Sequence, residues 1–281
     1  MASKIFSKII DLFNIILKKK YYGFVVGHSH INDAEISKIK NKLHDASYQN
    51  IEIYEKKFSS LIGPGKALSL ASARMCFYLI LKSLNIREGD EVILNGSTCS
   101  VMVNAVMRVN AKPIFSDVSK NTFGSSLEGI KKVFTPRTKM IVAQHSFGIP
   151  REIDKIKEFA NHNNIFLLED CALSIGSKID GVKIGTFGDA AIFSTDRSKP
   201  LNTIIGGMVY TKDQRFYNKL KLLQNKAGVL SKTKINSIWN EFILERKYCN
   251  PIGNRKYNLL SGIKNYYRKL YQLEGPFLDQ D

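Results

Sequence analysis

Ile165-Phe166-Leu167-Leu168-Glu169-Asp170, and further on Gly185-Thr186-Phe187-Gly188-Asp189-Ala190-Ala191-Ile192-Phe193-Ser194, decide the fold. Each ends in an apolar run closed by polar residues. An apolar run without polar alternation is the mark of a strand covered on both faces. A third run starts at Gly207, after Gly206. The stretch between Ser194 and Gly206 is mostly polar and contains Lys199.

Working outward, apolar runs at 67–71, 91–96, 113–118 and 140–146 join those at 165–170, 190–195 and 207–211. Helical patterns fall between them at 73–84, 101–109, 127–133 and 153–162. This alternation predicts an α/β fold, a mainly parallel seven-stranded sheet with helices on both faces. Residues 32–62 read as two helices. Asn32 caps the first with Glu35 three residues on, as in a capping box, and Gly63-Pro64-Gly65 stops the second. A charged helix follows residue 213 and runs to about Asn225. The expected division is an N-terminal amphipathic helix and extension (1–30), a large α/β domain (31–230) and a partial C-terminal segment (231–281).

A chain of 281 residues, 44% of them hydrophobic, can bury one large core with a small appendage. Its net charge of +17 favours anionic partners such as nucleotides, phosphates or lipid headgroups. The cations sit in short scattered clusters, such as Lys18 to Lys20 and Lys131/Lys132. These read as solvated faces, and no nucleic-acid partner is expected. The run from Lys264 to Tyr271 interleaves cations with aromatics, and an amphipathic helix is preferred there to a nucleic-acid surface. Cys76, Cys99, Cys171 and Cys249 lack metal-site spacing and fit a reducing cytoplasm.

Within residues 4–20, Ile5, Phe6, Ile9, Ile10, Phe13, Ile16 and Leu17 recur at helical spacing. Lys8 and Asp11 interrupt the run, which makes it a poor signal peptide and too polar to span a bilayer. A helix packed on its own protein is the preferred reading. A helix lying on the anionic inner face of a membrane is the alternative.

In a sheet of this kind ligands bind beyond the carboxyl ends of the strands. Asp170, His145 and Ser194 stand at such ends, Lys199 follows Ser194, and Ser72 opens a helix. A lysine and an aspartate at adjacent strand ends are what pyridoxal 5'-phosphate (PLP) requires. The amine must be nucleophilic, which takes desolvation or a neighbouring cation such as Arg197. The aspartate must face the pyridine nitrogen and keep it protonated. The phosphate needs backbone N–H donors at a helix start, which Ser72-Ala73-Arg74 offers. Taken singly, a loop lysine is usually a surface charge and a strand-end aspartate a turn residue.

Their order is more specific. Gly89-Asp90-Glu91-Val92-Ile93, Pro113-Ile114-Phe115-Ser116-Asp117-Val118, Gln144-His145-Ser146-Phe147-Gly148-Ile149-Pro150, Glu169-Asp170-Cys171-Ala172 and the stretch Gly185 to Ser194 follow one another as the motifs G-D-E-V-I, P-V-F-x-D-V, V-H-x-x-G-x-P, E-D-A-A and G-x-F-G-D-A-A-x-F-S. The chain thus resembles, from about residue 30 to 230, the DegT/DnrJ/StrS family of PLP-dependent nucleotide-sugar aminotransferases, of the aspartate-aminotransferase fold type I. The resemblance implies that Lys199 holds PLP and later carries the proton. It implies that Asp170 pairs with the ring nitrogen, and that Ser194 and Ser72-Ala73-Arg74 meet the phosphate. It also implies a nucleotide-linked keto-sugar as substrate, in surface polysaccharide or lipopolysaccharide biosynthesis, with an amino donor such as glutamate and a homodimer.

The departures are specific too. The family's S-G-T is Ser72-Ala73-Arg74, and the aromatic that stacks on the ring falls at Cys99. The Gln or His after E-D-A-A is Leu173, and the G-E before Gly206-Gly207 is Ile204-Ile205. The small C-terminal domain is expected to be mostly absent, with Asn254-Arg255 a weak match to its N-x-R. The competing readings are a non-catalytic or truncated relative and a basic membrane- or nucleic-acid-associated protein.

Overall fold

All of the apolar runs form strands. The computed structural model describes residues 31–44, 48–150 and 152–249, with Asn14, Leu260 and Ile263. The strands are β1 (Lys66–Leu70), β2 (Glu91–Asn95), β3 (Lys112–Ser116), β4 (Thr138–Gln144), β5 (Phe166–Asp170), β6 (Lys178–Ile179), β7 (Val182–Lys183), β8 (Ala190–Ser194) and β9 (Gly207–Thr211). Seven of them make one sheet in the order β1-β9-β8-β5-β4-β2-β3, and β6 and β7 form a separate hairpin. The helices are α1 (Asp33–Asn41), α2 (Tyr48–Ile62), α3 (Ala73–Ser83), α4 (Ser100–Arg108), α5 (Leu127–Val133), α6 (Ile153–His162), α7 (Gln214–Asn225) and α8 (Lys232–Tyr248).

Period-two alternation sorts the strand residues onto two faces. Val92, Leu94, Met140, Val142, Leu168, Ala190, Ile192 and Val209 pack with α3, α4 and α7 residues such as Phe77, Ile80, Val106 and Leu220. Ile93, Ile141, Ala143, Leu167, Ala191, Phe193 and Met208 pack on the other face with Phe58 of α2, Ile130 of α5 and Ile156 of α6. Both faces are therefore apolar, which is why the runs show no polar alternation. Each fully buried Phe, Leu or Ile contributes about 1.5–3 kcal/mol.

The sheet is mainly parallel, as the alternation of strands and helices predicts. The exception is β9, antiparallel to both β8 and β1. A parallel return needs a crossover element, usually a helix. Residues 195–206 form none, so the chain turns back on itself and leaves Lys199 on the connecting loop.

Helix starts follow their capping residues. The Asn32 side chain accepts the Glu35 N–H at 2.9 Å while Glu35 accepts the Asn32 N–H at 2.8 Å, completing the capping box. Ser72 caps α3 by accepting the Met75 N–H at 3.2 Å.

The chain divides into two compact units, 47–227 and the pair of segments 1–46 and 228–281. The sheet and all the candidate site residues belong to the first. In the second, α8 buries Lys234, Glu241 and Glu245 beside Trp239 and Phe242. Charged residues at buried positions blur the apolar stripe, so α8 left no clear helical signature in the sequence. Its Arg246 donates to the carbonyl oxygen of Ile31 and pairs with Asp33 at 2.9 Å.

No helix among the described residues is long and apolar enough to cross a membrane. Apart from Asn14, the amphipathic pattern at 4–20 lies outside the described residues, as do the Asn254-Arg255 match and the aromatic-basic run at 264–271.

Candidate active site

Two consecutive acids at the end of β5 point to opposite faces of the sheet. Glu169 lies on the side of α2, α5 and α6 and is fully buried. It accepts the backbone N–H groups of Gly185 at 2.9 Å, Phe187 at 2.8 Å and Gly188 at 2.8 Å. The buried His145 ring completes the set, its Nε2 lying 3.1 Å from the same carboxylate. The segment Gly185 to Gly188 is therefore a loop wrapped around one carboxylate. Gly185 has φ +93°, and a Cβ there would stand 2.5 Å from the Phe193 ring. Asp189 closes the arrangement by accepting the Leu167 N–H at 2.7 Å, which sets β8 on β5.

Asp170 lies on the other face, the side of α3 and α4. It is buried and accepts the Ala172 N–H at 3.0 Å. Burial pushes its carboxyl above the ordinary range, while the Ala172 N–H and the charges of His145 and Lys199 pull it down. Lys199, half-buried on the loop after β8, is thus within electrostatic reach of Asp170.

Ser194 ends β8 on the same face and pairs in register with Gly207. Gly207 in turn lies against the start of α3, where a Cβ would come within 2.2 Å of the Ala73 nitrogen. Only glycine lets β9 begin that close to Ser72 and Ala73. Ser72, Ala73, Ser194, Lys199 and Asp170 thus gather at one end of β1, β9, β8 and β5, as the sequence predicts. Arg74 is half-buried in the first turn of α3.

Cys99 is exposed at the N-cap of α4 and makes no side-chain capping bond. It follows β2, which β4 separates from β5. Leu173 follows Asp170 by three residues and is 41% exposed. Neither side chain offers a strong hydrogen bond to a ligand.

The motif model of the DegT/DnrJ/EryC1/StrS aminotransferase family matches residues 29–248, most of the chain and all the elements of this site. The chain belongs to that family. The GDP-perosamine synthase of Escherichia coli O157:H7 is 37% identical over 169 residues, 60% of this chain and 46% of that protein. The aminotransferase of Psychrobacter cryohalolentis has the same fold, with a TM-score of 0.66 and 28% identity over 69% of this chain and 51% of that one. The E. coli GDP-4-keto-6-deoxy-D-mannose-3-dehydratase, solved with bound hydrated PLP, gives a TM-score of 0.64 and 25% identity over 71% and 54%. The chain spans about half the length of the curated relatives it matches.

The sequence singled out Lys199, Asp170 and the helix start at Ser72, and gave Glu169 no role of its own. The signal was present in Glu169-Asp170 standing ahead of Gly185-Thr186-Phe187-Gly188. Its meaning, an acid accepting the N–H groups of that glycine loop, needs the three-dimensional contacts.

Proposed function

We propose that this chain is a PLP-dependent aminotransferase acting on a nucleotide-linked keto-sugar for surface polysaccharide or lipopolysaccharide synthesis. The observation that carries the reading is the buried Asp170 carboxylate at the end of β5, with Lys199 on the loop that follows the adjacent parallel strand β8 and within electrostatic reach. A carboxylate, a primary amine and a helix N-terminus are the donor and acceptor set that PLP takes for its ring nitrogen, its carbonyl carbon and its phosphate. The names of the relatives support an amino-transfer reaction on a nucleotide sugar.

When bound, PLP supplies an electron sink for a carbanion beside nitrogen. Asp170 would hold the ring nitrogen in its protonated form. Lys199 would hold the cofactor and would carry a proton to and from the substrate carbon. Ser72 and Ala73 at the α3 N-terminus, with Ser194 at the end of β8, would hold the phosphate, and Arg74 would add a charge-assisted bond. Cys99, exposed at the N-cap of α4, would offer the ring little stacking surface. Glutamate as amino donor, a homodimer and a cytoplasmic location complete the proposal.

A second reading, a non-catalytic relative, is favoured by Cys99 and Leu173, which leave the ring face and the ring hydroxyl side without their usual partners. One measurement separates the two. The purified protein is mixed with PLP, its visible absorbance is recorded, and borohydride is added before peptide mass analysis. Lys199 carrying the reduced cofactor supports the first reading. An unlabelled Lys199 at saturating PLP sinks it.

A further inference from the structure

We propose that Asn202 is a positioning residue, its side chain bracing the loop between β8 and β9 so that Lys199 stays presented at the site. The proposal rests on the reading of Lys199 as the cofactor lysine. Asn202 Oδ1 accepts the Ile204 N–H at 2.7 Å, and Asn202 Nδ2 donates to the Arg197 carbonyl oxygen at 3.2 Å. Arg197 and Ile204 are also joined directly, the Arg197 N–H donating to the Ile204 carbonyl oxygen at 3.2 Å. Lys199 sits inside the ring that these bonds close.

The rest of the loop is tied on either side of that ring. Nearer the strands, the Thr203 N–H donates to the Thr195 carbonyl oxygen at 2.9 Å, and the Thr195 N–H to that of Gly206 at 2.9 Å. The Lys199 N–H donates to the Asp196 carbonyl oxygen at 2.9 Å. Leu201, two residues past Lys199, packs on the apolar face of the sheet that holds Phe58 and Phe193.

Ile204 shows that the ring is under load. Its φ of +73° lies in the left-handed region, which β-branched residues avoid because Cβ crowds the following carbonyl. Strain of this kind persists only where neighbouring structure over-determines it. Asn202 Oδ1, accepting the Ile204 N–H, is placed to do so. An asparagine amide carries both an acceptor and a donor, and both are used across this loop.

The test compares the natural protein with Asn202→Ala and with Asn202→Ala/Ile204→Gly. Hydrogen exchange of residues 196–206 is followed without cofactor. PLP trapped on Lys199 by borohydride is then quantified, and the visible absorbance of the PLP-loaded protein is titrated against pH. Asn202→Ala is expected to speed exchange about 5- to 150-fold in this loop alone, the weight of its two hydrogen bonds. It should also lower trapping and shift the midpoint of the absorbance titration. Ile204→Gly should recover part of the loss, because glycine takes positive φ without steric cost.

Unchanged loop exchange in Asn202→Ala overturns the brace, and so does no recovery with glycine. Faster exchange with unchanged trapping and an unchanged midpoint overturns the positioning role and leaves a structural one. If the natural protein is not trapped on Lys199, the cofactor reading fails and the positioning role with it. The exchange data still judge the brace alone in that case.

Discussion

Around Glu169 four donors converge on one buried carboxylate. At the same end of the sheet, Cys99 and Leu173 are exposed and carry no structural bond that a replacement would break. The first region sets β8 on β5 and so fixes where Asp170 and Ser194 point. The second is exposed and holds no element in place. Replacing Glu169 therefore threatens the core, while replacing Cys99 or Leu173 leaves it intact. The departures at Cys99 and Leu173 fall at exposed positions, whereas the one at Ile204 puts a β-branched residue at positive φ.

The largest effect expected is at Lys199. Lys199→Ala should reduce amino transfer to background while thermal or denaturant stability of the PLP-free protein stays within about 0.5 kcal/mol, as for a loop side chain outside the core. Amino transfer at a similar rate in that variant would remove Lys199 from the site. Glu169→Ala should give the opposite result, a stability loss of about 3–5 kcal/mol, because three backbone N–H groups lose their acceptor in a buried place. A denaturation midpoint within error of the natural protein would erase the contrast between the two regions.

Asp170 joins them. Its folded-state pKa is raised by burial, so between the unfolded and folded values the native state binds more protons than the unfolded one. The PLP-free protein therefore loses stability as pH rises through that window and regains it as pH falls. Asp170→Asn keeps an oxygen for the Ala172 N–H and removes the buried charge. It should raise the melting temperature of the PLP-free protein at neutral pH and flatten that pH dependence, yet weaken PLP binding. A lower melting temperature at neutral pH would show that the charge stabilises the fold.

Smaller effects sharpen the ligand-facing side. Arg74→Thr should loosen PLP by about 1.5–3 kcal/mol, the value of a charged hydrogen bond. Unchanged affinity would show that Arg74 is no phosphate ligand. Leu173→Gln and Cys99→Phe should each tighten PLP by about 0.5–1.5 kcal/mol, through one hydrogen bond or one stacked ring. Cofactor titration reads all of these, and weaker binding in either of the last two would mean that the side chain does not meet the ring.

The strands of the sheet were legible in the sequence to within one or two residues at most ends, as were the capping box at Asn32 and the helix ended by Gly63-Pro64-Gly65. The placement of Lys199, Asp170, Ser194 and Ser72 was legible because strand ends in a parallel sheet all emerge on one side. The two-residue strands β6 and β7 were not, since so few residues carry no periodicity. Helix α8 escaped because its buried face includes Lys234, Glu241 and Glu245.

By itself the sequence determined the α/β class, the succession of strands and helices, and the ends at which the polar residues stand. These follow from apolar periodicity and capping, which are local along the chain. Only the tertiary structure decided that β9 runs antiparallel, that Glu169 and Asp170 serve opposite faces, that Gly207 lies against Ala73, and that Asn202 ties Arg197 to Ile204. Each depends on which backbone N–H or carbonyl, brought near by the fold, meets a given side chain. Hydrophobic periodicity records which residues are buried but not the direction in which their neighbours' hydrogen-bonding groups point.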